Sequence, residues 1–99
     1  MYIVNTTFIV SPVHHEQWLK LVREDYIPLL EDSGFGGAVL SRVLSQQAEE
    51  HFTYSLMVDV ASVPDYHLIT GPLFDRYRAM AEPLLGEPPV WFTTLLKKV

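Results

Sequence analysis

Four stretches of the sequence carry the alternation or clustering of β-branched and aromatic residues that is typical of strands. They cover about residues 2–10, 36–47, 51–60 and 90–99. In the third stretch every second residue is apolar, and this series consists of Phe52, Tyr54, Leu56, Val58 and Val60. One face of that strand must therefore be buried against helices. The short polar link QAEEH before it indicates a hairpin with the second strand.

A helical pattern lies between the first and second predicted strands. Ser11 and Pro12 are typical of an N-cap and a first helical position, so they predict the helix start. The apolar side chains of this segment fall on one arc when successive residues are turned by about 100°. The helix runs to about Asp32, where Ser33-Gly34 stops it. Pro28 lacks an N–H group and predicts a kink near the end.

A second helical region follows the third strand. Ser62 predicts its N-cap, and Asp65 stands three residues further on, close to the spacing of a capping box. Gly71 and Pro72 interrupt the region, after which an amphipathic segment continues as far as the sequence GEPP.

The predicted order of elements is therefore β-α-β-β-α-β. Short connections and right-handed crossovers arrange this order as an α+β ferredoxin-like fold, in which one four-stranded antiparallel sheet carries both helices on one face. We expect residues 1–99 to form a single domain of this kind.

The sheet face opposite the helices is predicted to be too apolar for open solvent. Its expected members are Ile3, Asn5, Thr7, Ile9, Ser55, Met57, Trp91, Thr93 and Leu95. Large exposed apolar patches mark interaction sites, and most soluble oligomers are symmetric assemblies of one chain. We therefore expect a homodimer, although the pattern does not say which face or edge of the sheet forms the contact.

Charge and composition exclude several classes of function. The net charge is −5, with 7 basic and 12 acidic residues, so the sequence lacks the basic surface that nucleic acids or anionic membranes require. No apolar run approaches the ~18 residues of a membrane span. The absence of cysteine removes thiolate chemistry and cysteine-based metal sites, and it fits a cytoplasmic protein.

The adjacent histidines His14 and His15 are the most suggestive chemical feature. Neighbouring helical residues point about 100° apart, so the pair cannot bind one ion from one helix face. His15 falls in the middle of the apolar arc, which predicts a half-buried imidazole with a backbone or hydroxyl partner. Neither the doublet nor the isolated His51 and His67 has the spacing of a metal site, and we expect neither a metal nor a cofactor.

Tyrosine hydroxyls, one histidine and one carboxylate define a candidate ligand pocket. If the helices leave a cavity above the sheet, it would be lined by His15, Asp25, Tyr26, Tyr54 and Tyr77. An apolar cavity with a few polar groups is typical of a small-molecule site. In the alternative interpretation the tyrosines belong to the core, and Asp25 is a boundary residue paired with an arginine. The candidate partners are Arg42, Arg76 and Arg78.

Four segments together resemble a known protein family. They are VNTTFIVSP at the start, WLKLVREDYIPLL in the first helix, VPDY at the second helix start and VWFTTLL in the last strand. They are similar to an uncharacterised bacterial group of domains of unknown function, placed among the ferredoxin-like dimeric α/β-barrel proteins. In that group the position of Tyr26 is usually a histidine, so no role of an imidazole there carries over to this chain.

The resemblance implies a dimeric α/β barrel but no single reaction. The wider superfamily includes cofactor-free monooxygenases, muconolactone-isomerase-like enzymes, haem-degrading enzymes and dimeric ligand sensors, and a fold alone does not determine the chemistry. Two functions stay open. The first is a non-catalytic homodimeric module that binds a small apolar or aromatic ligand or a protein partner. The second is a cofactor-free oxygenase or isomerase in which Tyr26 or His15 orients an aromatic or polyketide-like substrate and Asp25 accepts a proton.

Overall fold

A computed structural model describes residues 1–44 and 51–99 of the chain. In chain order, its elements are β1 (Tyr2–Val10), α1 (His15–Leu21), a first π-helical turn (Val22–Tyr26), α2 (Ile27–Asp32), β2 (Val39–Arg42), β3 (Phe52–Val60), α3 (Val63–Leu68), a second π-helical turn (Ile69–Leu73), α4 (Phe74–Leu85) and β4 (Val90–Lys97). This order confirms the predicted β-α-β-β-α-β arrangement. In the described part of the chain, no helix has both the length and the apolar character needed to cross a membrane.

The strands form one antiparallel sheet in the order β2-β3-β1-β4. The first strand is confirmed at its predicted bounds, and β3 begins one position later than predicted. The second strand is shorter than predicted, because β2 covers only Val39–Arg42. Residues 45–47 of its predicted range, and most of the predicted hairpin link, lie outside the described residues.

The first helix starts later than the sequence pattern predicts. Ser11 begins a turn in which the His14 N–H donates to the Ser11 carbonyl at 3.0 Å, and α1 starts only at His15. The Ser11 hydroxyl accepts from the Val13 N–H at 3.3 Å, so it caps this turn and not the helix. The prediction of Ser11 as helix N-cap was therefore wrong.

The kink predicted at Pro28 takes the form of the first π-helical turn. A proline nitrogen cannot donate the usual hydrogen bond to the carbonyl four residues earlier. Immediately before it, the N–H of Ile27 donates to the carbonyl of Val22, five residues back, and α2 then starts with Pro28 in its first turn. The chain thus accommodates the proline by widening one turn.

The second helical region also combines a proline with a π-helical turn. The Ser62 hydroxyl accepts a hydrogen bond from the Asp65 N–H at 3.3 Å, which confirms the predicted cap of α3. Pro72 lies inside the second π-helical turn, where the sequence pattern predicts an interruption. At the end of α4, Gly86 has φ of 75°, a conformation that a residue with a Cβ atom rarely adopts.

Aromatic side chains fill the space between the helices and the sheet. Phe8 of β1 lies 5.2 Å from Trp18 and 5.5 Å from Tyr77, between ring centroids. Phe74 lies 5.0 Å from Tyr77 and 5.1 Å from Trp91. These tilted contacts join β1, β4, α1 and α4 into one core.

The prediction for β4 was wrong about which side chains face the helices. In the antiparallel register Phe8 pairs with Trp91, Thr6 with Thr93 and Val4 with Leu95. Residues paired across neighbouring strands share a face, so these β4 side chains point toward the helices. We use the term open face for the opposite side, which carries Ile3, Asn5, Thr7, Ile9, Val39, Ser41, Thr53, Ser55, Met57, Asp59, Val90, Phe92, Thr94 and Leu96.

The open face keeps the apolar character that the sequence analysis expects of it, but with different β4 members. Phe92 is 55% exposed and Val90 65%, while Met57 and Val39 are also exposed. The assignments for β1 and β3 are confirmed, since Thr7 and Ser55 pair on this side. One polar pair lies on it, where the Ser55 hydroxyl donates to Oδ1 of Asn5 at 2.6 Å.

Candidate functional site

The two adjacent histidines point to different parts of the molecule. His15 is the first residue of α1 and is half-buried against β3, whereas His14 precedes the helix and borders a cleft at the end of the sheet. The backbone of His14 is not helical, with φ of −106° and ψ of 0°, so its side chain leaves the chain in a different direction from that of His15. The prediction that the pair does not form one ion site from one helix face agrees with this geometry.

His15 forms a short hydrogen bond with a buried tyrosine. Its Nε2 atom lies 2.6 Å from the hydroxyl oxygen of Tyr54, which belongs to the helix-facing side of β3. The imidazole also stacks on the ring of Phe52, with centroids 4.0 Å apart and planes inclined by 23°. The predicted half-buried histidine with a hydroxyl partner is therefore confirmed, and the partner is Tyr54.

A guanidinium group completes this cluster at the edge of the sheet. The Cζ atom of Arg42 lies 4.4 Å from the centroid of the Phe52 ring, a cation–π distance. Arg42 is the last residue of β2, and it pairs with Tyr54 in the sheet register. We call the group of His15, Arg42, Phe52 and Tyr54 the His15 site. It is the point where the described chain combines partly exposed aromatic surface, a hydrogen-bonding pair and a cation.

The other two tyrosines of the predicted pocket lie in the core. Tyr26 and Tyr77 are each 1% exposed, and their ring centroids are 4.9 Å apart. The Nε1–H of Trp18, which is also buried, donates to the Tyr77 hydroxyl at 2.8 Å. These two side chains therefore support the packing beneath the His15 site, because the Trp18 ring lies 5.1 Å from that of Tyr54.

Burial makes both core tyrosines harder to ionise. Burial, reinforced by the neighbouring Tyr77, raises the pKa of Tyr26 well above its ordinary value. Burial also raises the pKa of Tyr77 to about 12, although the hydrogen bond from Trp18 acts in the opposite direction. Removing a phenol from water disfavours its charged form, so both side chains are neutral core residues at physiological pH.

Alkaline pH is expected to destabilise the fold through these two residues. Between about pH 10, where an exposed tyrosine ionises, and about pH 12, the unfolded chain loses protons that Tyr77 retains in the folded state. The free energy of unfolding should then fall by ~1.4 kcal/mol per pH unit for each retained proton. Urea unfolding at a series of pH values checks this slope. Tyr77→Phe should make it shallower, and an unchanged slope would contradict the assignment.

Asp25 lies apart from the other predicted pocket residues. Its side chain is exposed on the first π-helical turn, whereas Tyr26 next to it points into the core. Within the described residues Asp25 forms no ion pair. Of its three expected partners, Arg78 instead approaches Glu82 at 3.9 Å. The prediction of a boundary ion pair at Asp25 was therefore wrong for the part of the chain that the structure describes.

His14 and His51 border an open cleft of about 230 Å³ at one end of the sheet. Its lining consists of Ile9, Ser11, His14, His51, Glu87, Pro88, Pro89 and Val90. Residues 1–44 and 51–99 contain no group of three histidine, aspartate or glutamate side chains arranged to hold a metal ion. The cleft therefore combines isolated polar groups with proline and aliphatic walls.

Sequence reasoning identified His15 and Tyr54 but missed Arg42 and Phe52 as site residues. The strand alternation already places Phe52 and Tyr54 on one face, so that part of the site could have been found. Arg42 was considered only as a partner of Asp25. Its position beside Phe52 depends on the pairing of β2 with β3, which the local pattern does not specify.

Solved structures of low sequence identity share this fold. A crystal structure of an antibiotic biosynthesis monooxygenase aligns with a TM-score of 0.62 at 16% identity, covering 100% of this chain and 99% of that one. A NIPSNAP family protein from Agrobacterium tumefaciens gives 0.63 at 20% identity, with 100% and 94% coverage. A dimeric ferredoxin-like protein of unknown function from Thermobifida fusca gives 0.59 at 13% identity, with 99% and 92% coverage.

These similarities confirm the ferredoxin-like α+β fold, since all three alignments span nearly the whole of both chains. At such identities they establish the fold alone, because one fold supports many unrelated activities. A comparison with curated proteins finds no match. The sequence profile of a domain of unknown function, DUF4286, matches residues 1–99. The resemblance seen in the strand and helix motifs is thus confirmed, and the chain belongs to the DUF4286 family.

Proposed function

We propose that this protein is a homodimeric small-molecule-binding module, and that the His15 site receives a small apolar or aromatic ligand without catalysing a reaction. The observation that carries the proposal is the 2.6 Å hydrogen bond between His15 and Tyr54 beside partly exposed aromatic surface. Small-molecule sites combine mainly apolar walls with a few fixed polar groups, and this corner of the described chain has that composition.

The support beneath the site favours binding with little rearrangement. The Tyr54 ring packs on Trp18, which in turn is held by its hydrogen bond to Tyr77. A polar pair supported by packed rings loses little conformational freedom when a ligand arrives, which improves affinity. The Phe52 ring is half-buried, so it offers surface on which a second planar group can pack.

The second candidate is a cofactor-free oxygenase or isomerase. It is favoured by one observation, namely that an imidazole hydrogen-bonded to a phenol can act as a base or an acid when a substrate approaches. The solved antibiotic biosynthesis monooxygenase has a similar fold at 16% identity. Against it, the proton acceptor expected in that mechanism, Asp25, is exposed to solvent on the first π-helical turn. For this reason we favour binding without catalysis.

Replacing Tyr54 by phenylalanine is expected to weaken ligand binding about 5- to 10-fold, because one hydrogen bond contributes about 1 kcal/mol. The test uses 2-naphthol as an aromatic probe, with NMR titration of the His15, Phe52 and Tyr54 signals. Tyr66→Phe is the matched control, since Tyr66 lies on α3 and contacts His67 instead. Equal affinities for the native chain and Tyr54→Phe, or no shift at these residues, would overturn the proposed site.

Native mass spectrometry of protein purified from its host separates the two candidates. A bound organic molecule that is recovered unchanged supports the binding module. Oxygen uptake, or a change in the mass of the recovered molecule on incubation with air, would instead establish an oxygenase, and conversion of that molecule to a species of equal mass but different chromatographic retention time would establish an isomerase. All of these measurements can be made on one preparation of the protein.

The homodimer in this proposal uses the open face. Its exposed apolar residues include Phe92 and Met57, and a second copy would remove them from water. The neighbour from Thermobifida fusca is described as dimeric, which supports the same assembly here. We also propose a cytoplasmic location, in keeping with a sequence that contains no cysteine.

A further inference from the structure

We infer that the ligand of the His15 site is a planar aromatic acid, and that Arg42 selects its carboxylate. This inference rests on the proposed function and adds the charge of the ligand to it. It draws on the two groups that contact the Phe52 ring, which are the guanidinium of Arg42 at 4.4 Å and the imidazole of His15 at 4.0 Å.

Both groups contact the ring of the same residue. The guanidinium carbon of Arg42 lies 4.4 Å from the Phe52 centroid, and the imidazole centroid of His15 lies 4.0 Å from it. A cation and a hydrogen-bonding imidazole therefore adjoin one half-buried phenyl ring. A flat ligand packed on the exposed part of this ring would reach both Arg42 and His15.

The chemistry of the guanidinium group indicates what it would recognise. Arginine presents paired N–H donors in a plane, and this geometry matches the two oxygens of a carboxylate. The cation–π contact with Phe52 holds the side chain over the ring, so part of its conformational freedom is already lost before a ligand binds. Arg42 is exposed at the end of β2, and its charged group is therefore open to a ligand from solvent.

The ligand class also follows from the aromatic rings that lie beside Arg42 and His15. Phe52 supplies a partly exposed aromatic ring, and the Tyr54 ring stacks beyond His15 at 5.5 Å. Aromatic surface selects planar rings, whereas sugars or flexible aliphatic chains would leave it poorly covered. The cleft at His14 does not provide this combination, because its walls are prolines and aliphatic residues beside Glu87.

The test compares two probes that differ only in charge. They are 2-naphthoate, which is anionic at pH 7, and its neutral isostere 2-naphthamide, each titrated into the labelled chain while the His15, Phe52 and Tyr54 signals are followed. We expect the acid to bind at least about 10-fold more tightly than the amide, in line with a charge-assisted hydrogen bond. Arg42→Gln should abolish this preference, and Arg42→Lys should retain part of it.

Arg76→Gln is the matched control, because Arg76 is an exposed arginine on α4 and should leave the preference unchanged. Far-UV circular dichroism verifies that each variant is folded. Equal binding of acid and amide, or an equal loss of both in Arg42→Gln, would overturn the inference and leave the His15 site intact. If neither probe moves the three signals, the proposed function fails together with it.

Discussion

Replacing Trp18 by alanine is expected to lower the free energy of unfolding by about 3–5 kcal/mol, which is a large share of the stability of a small domain. Trp18 is fully buried and packs on Phe8 and Tyr54. Its indole N–H also supplies the hydrogen bond of the Tyr77 hydroxyl. The substitution therefore removes packing and a buried polar contact together, and urea unfolding followed by circular dichroism measures the loss.

Two further variants separate these contributions. Trp18→Phe removes the donor but keeps an aromatic ring, and Tyr77→Phe removes the acceptor and leaves the indole N–H without it. Because both act on one bond, their effects should be less than additive in the double variant. Leu84→Ala is the control, since Leu84 is 45% exposed on α4 and should change stability by no more than about 0.5 kcal/mol. A loss below about 1 kcal/mol for Trp18→Ala would contradict the packing described for this core.

Phe92→Glu is expected to convert the proposed homodimer into a monomer. Phe92 lies on the open face, paired with Thr7 of β1, and more than half of its side-chain surface is exposed in the single chain. A carboxylate buried there without a partner should weaken association at least about 100-fold, while the helix-facing core is untouched. Sedimentation velocity at micromolar concentrations measures the change in mass.

Leu84→Glu is the matched control, because it introduces the same charge at another exposed leucine, on the helical layer. It should leave the proposed homodimer intact. A Phe92→Glu variant that stays dimeric would show that the subunits associate through a different surface. A native chain that is already monomeric at these concentrations would refute the homodimer itself.

The strand and helix order could be predicted because the local patterns were strong. β1 and β3 have β-branched or alternating sequences, and Ser62 supplies the N-cap hydroxyl at the start of α3. The orientation of β4 could not be predicted in this way. Its sequence VWFTTLL has large apolar residues at both alternating positions, so Trp91 and Phe92 are equally plausible core residues. Only the register with β1 decides between them.

The sequence predicted two of the four residues of the candidate site, but not their geometry. His15 and Tyr54 were both expected, but their contact joins positions 39 apart and depends on how α1 crosses β3. Tyr26 and Tyr77 carry hydroxyls, which suggested a polar lining. In the folded chain the Tyr77 hydroxyl is satisfied by Trp18, so a polar group can belong to a packed interior. Whether a ligand reaches this region stays a prediction.

The two π-helical turns have a consequence for comparing relatives of different length. Each contains one residue more per turn than an α-helix, so it acts as an insertion that the helix absorbs without a loop. Losing one residue between positions 22 and 26 would convert this turn into an ordinary α-helical turn, whereas losing one residue within α1 would rotate everything before it by about 100° relative to α2. A homologue shorter by one residue here should therefore be aligned with its gap inside the turn, which keeps the flanking segments in phase.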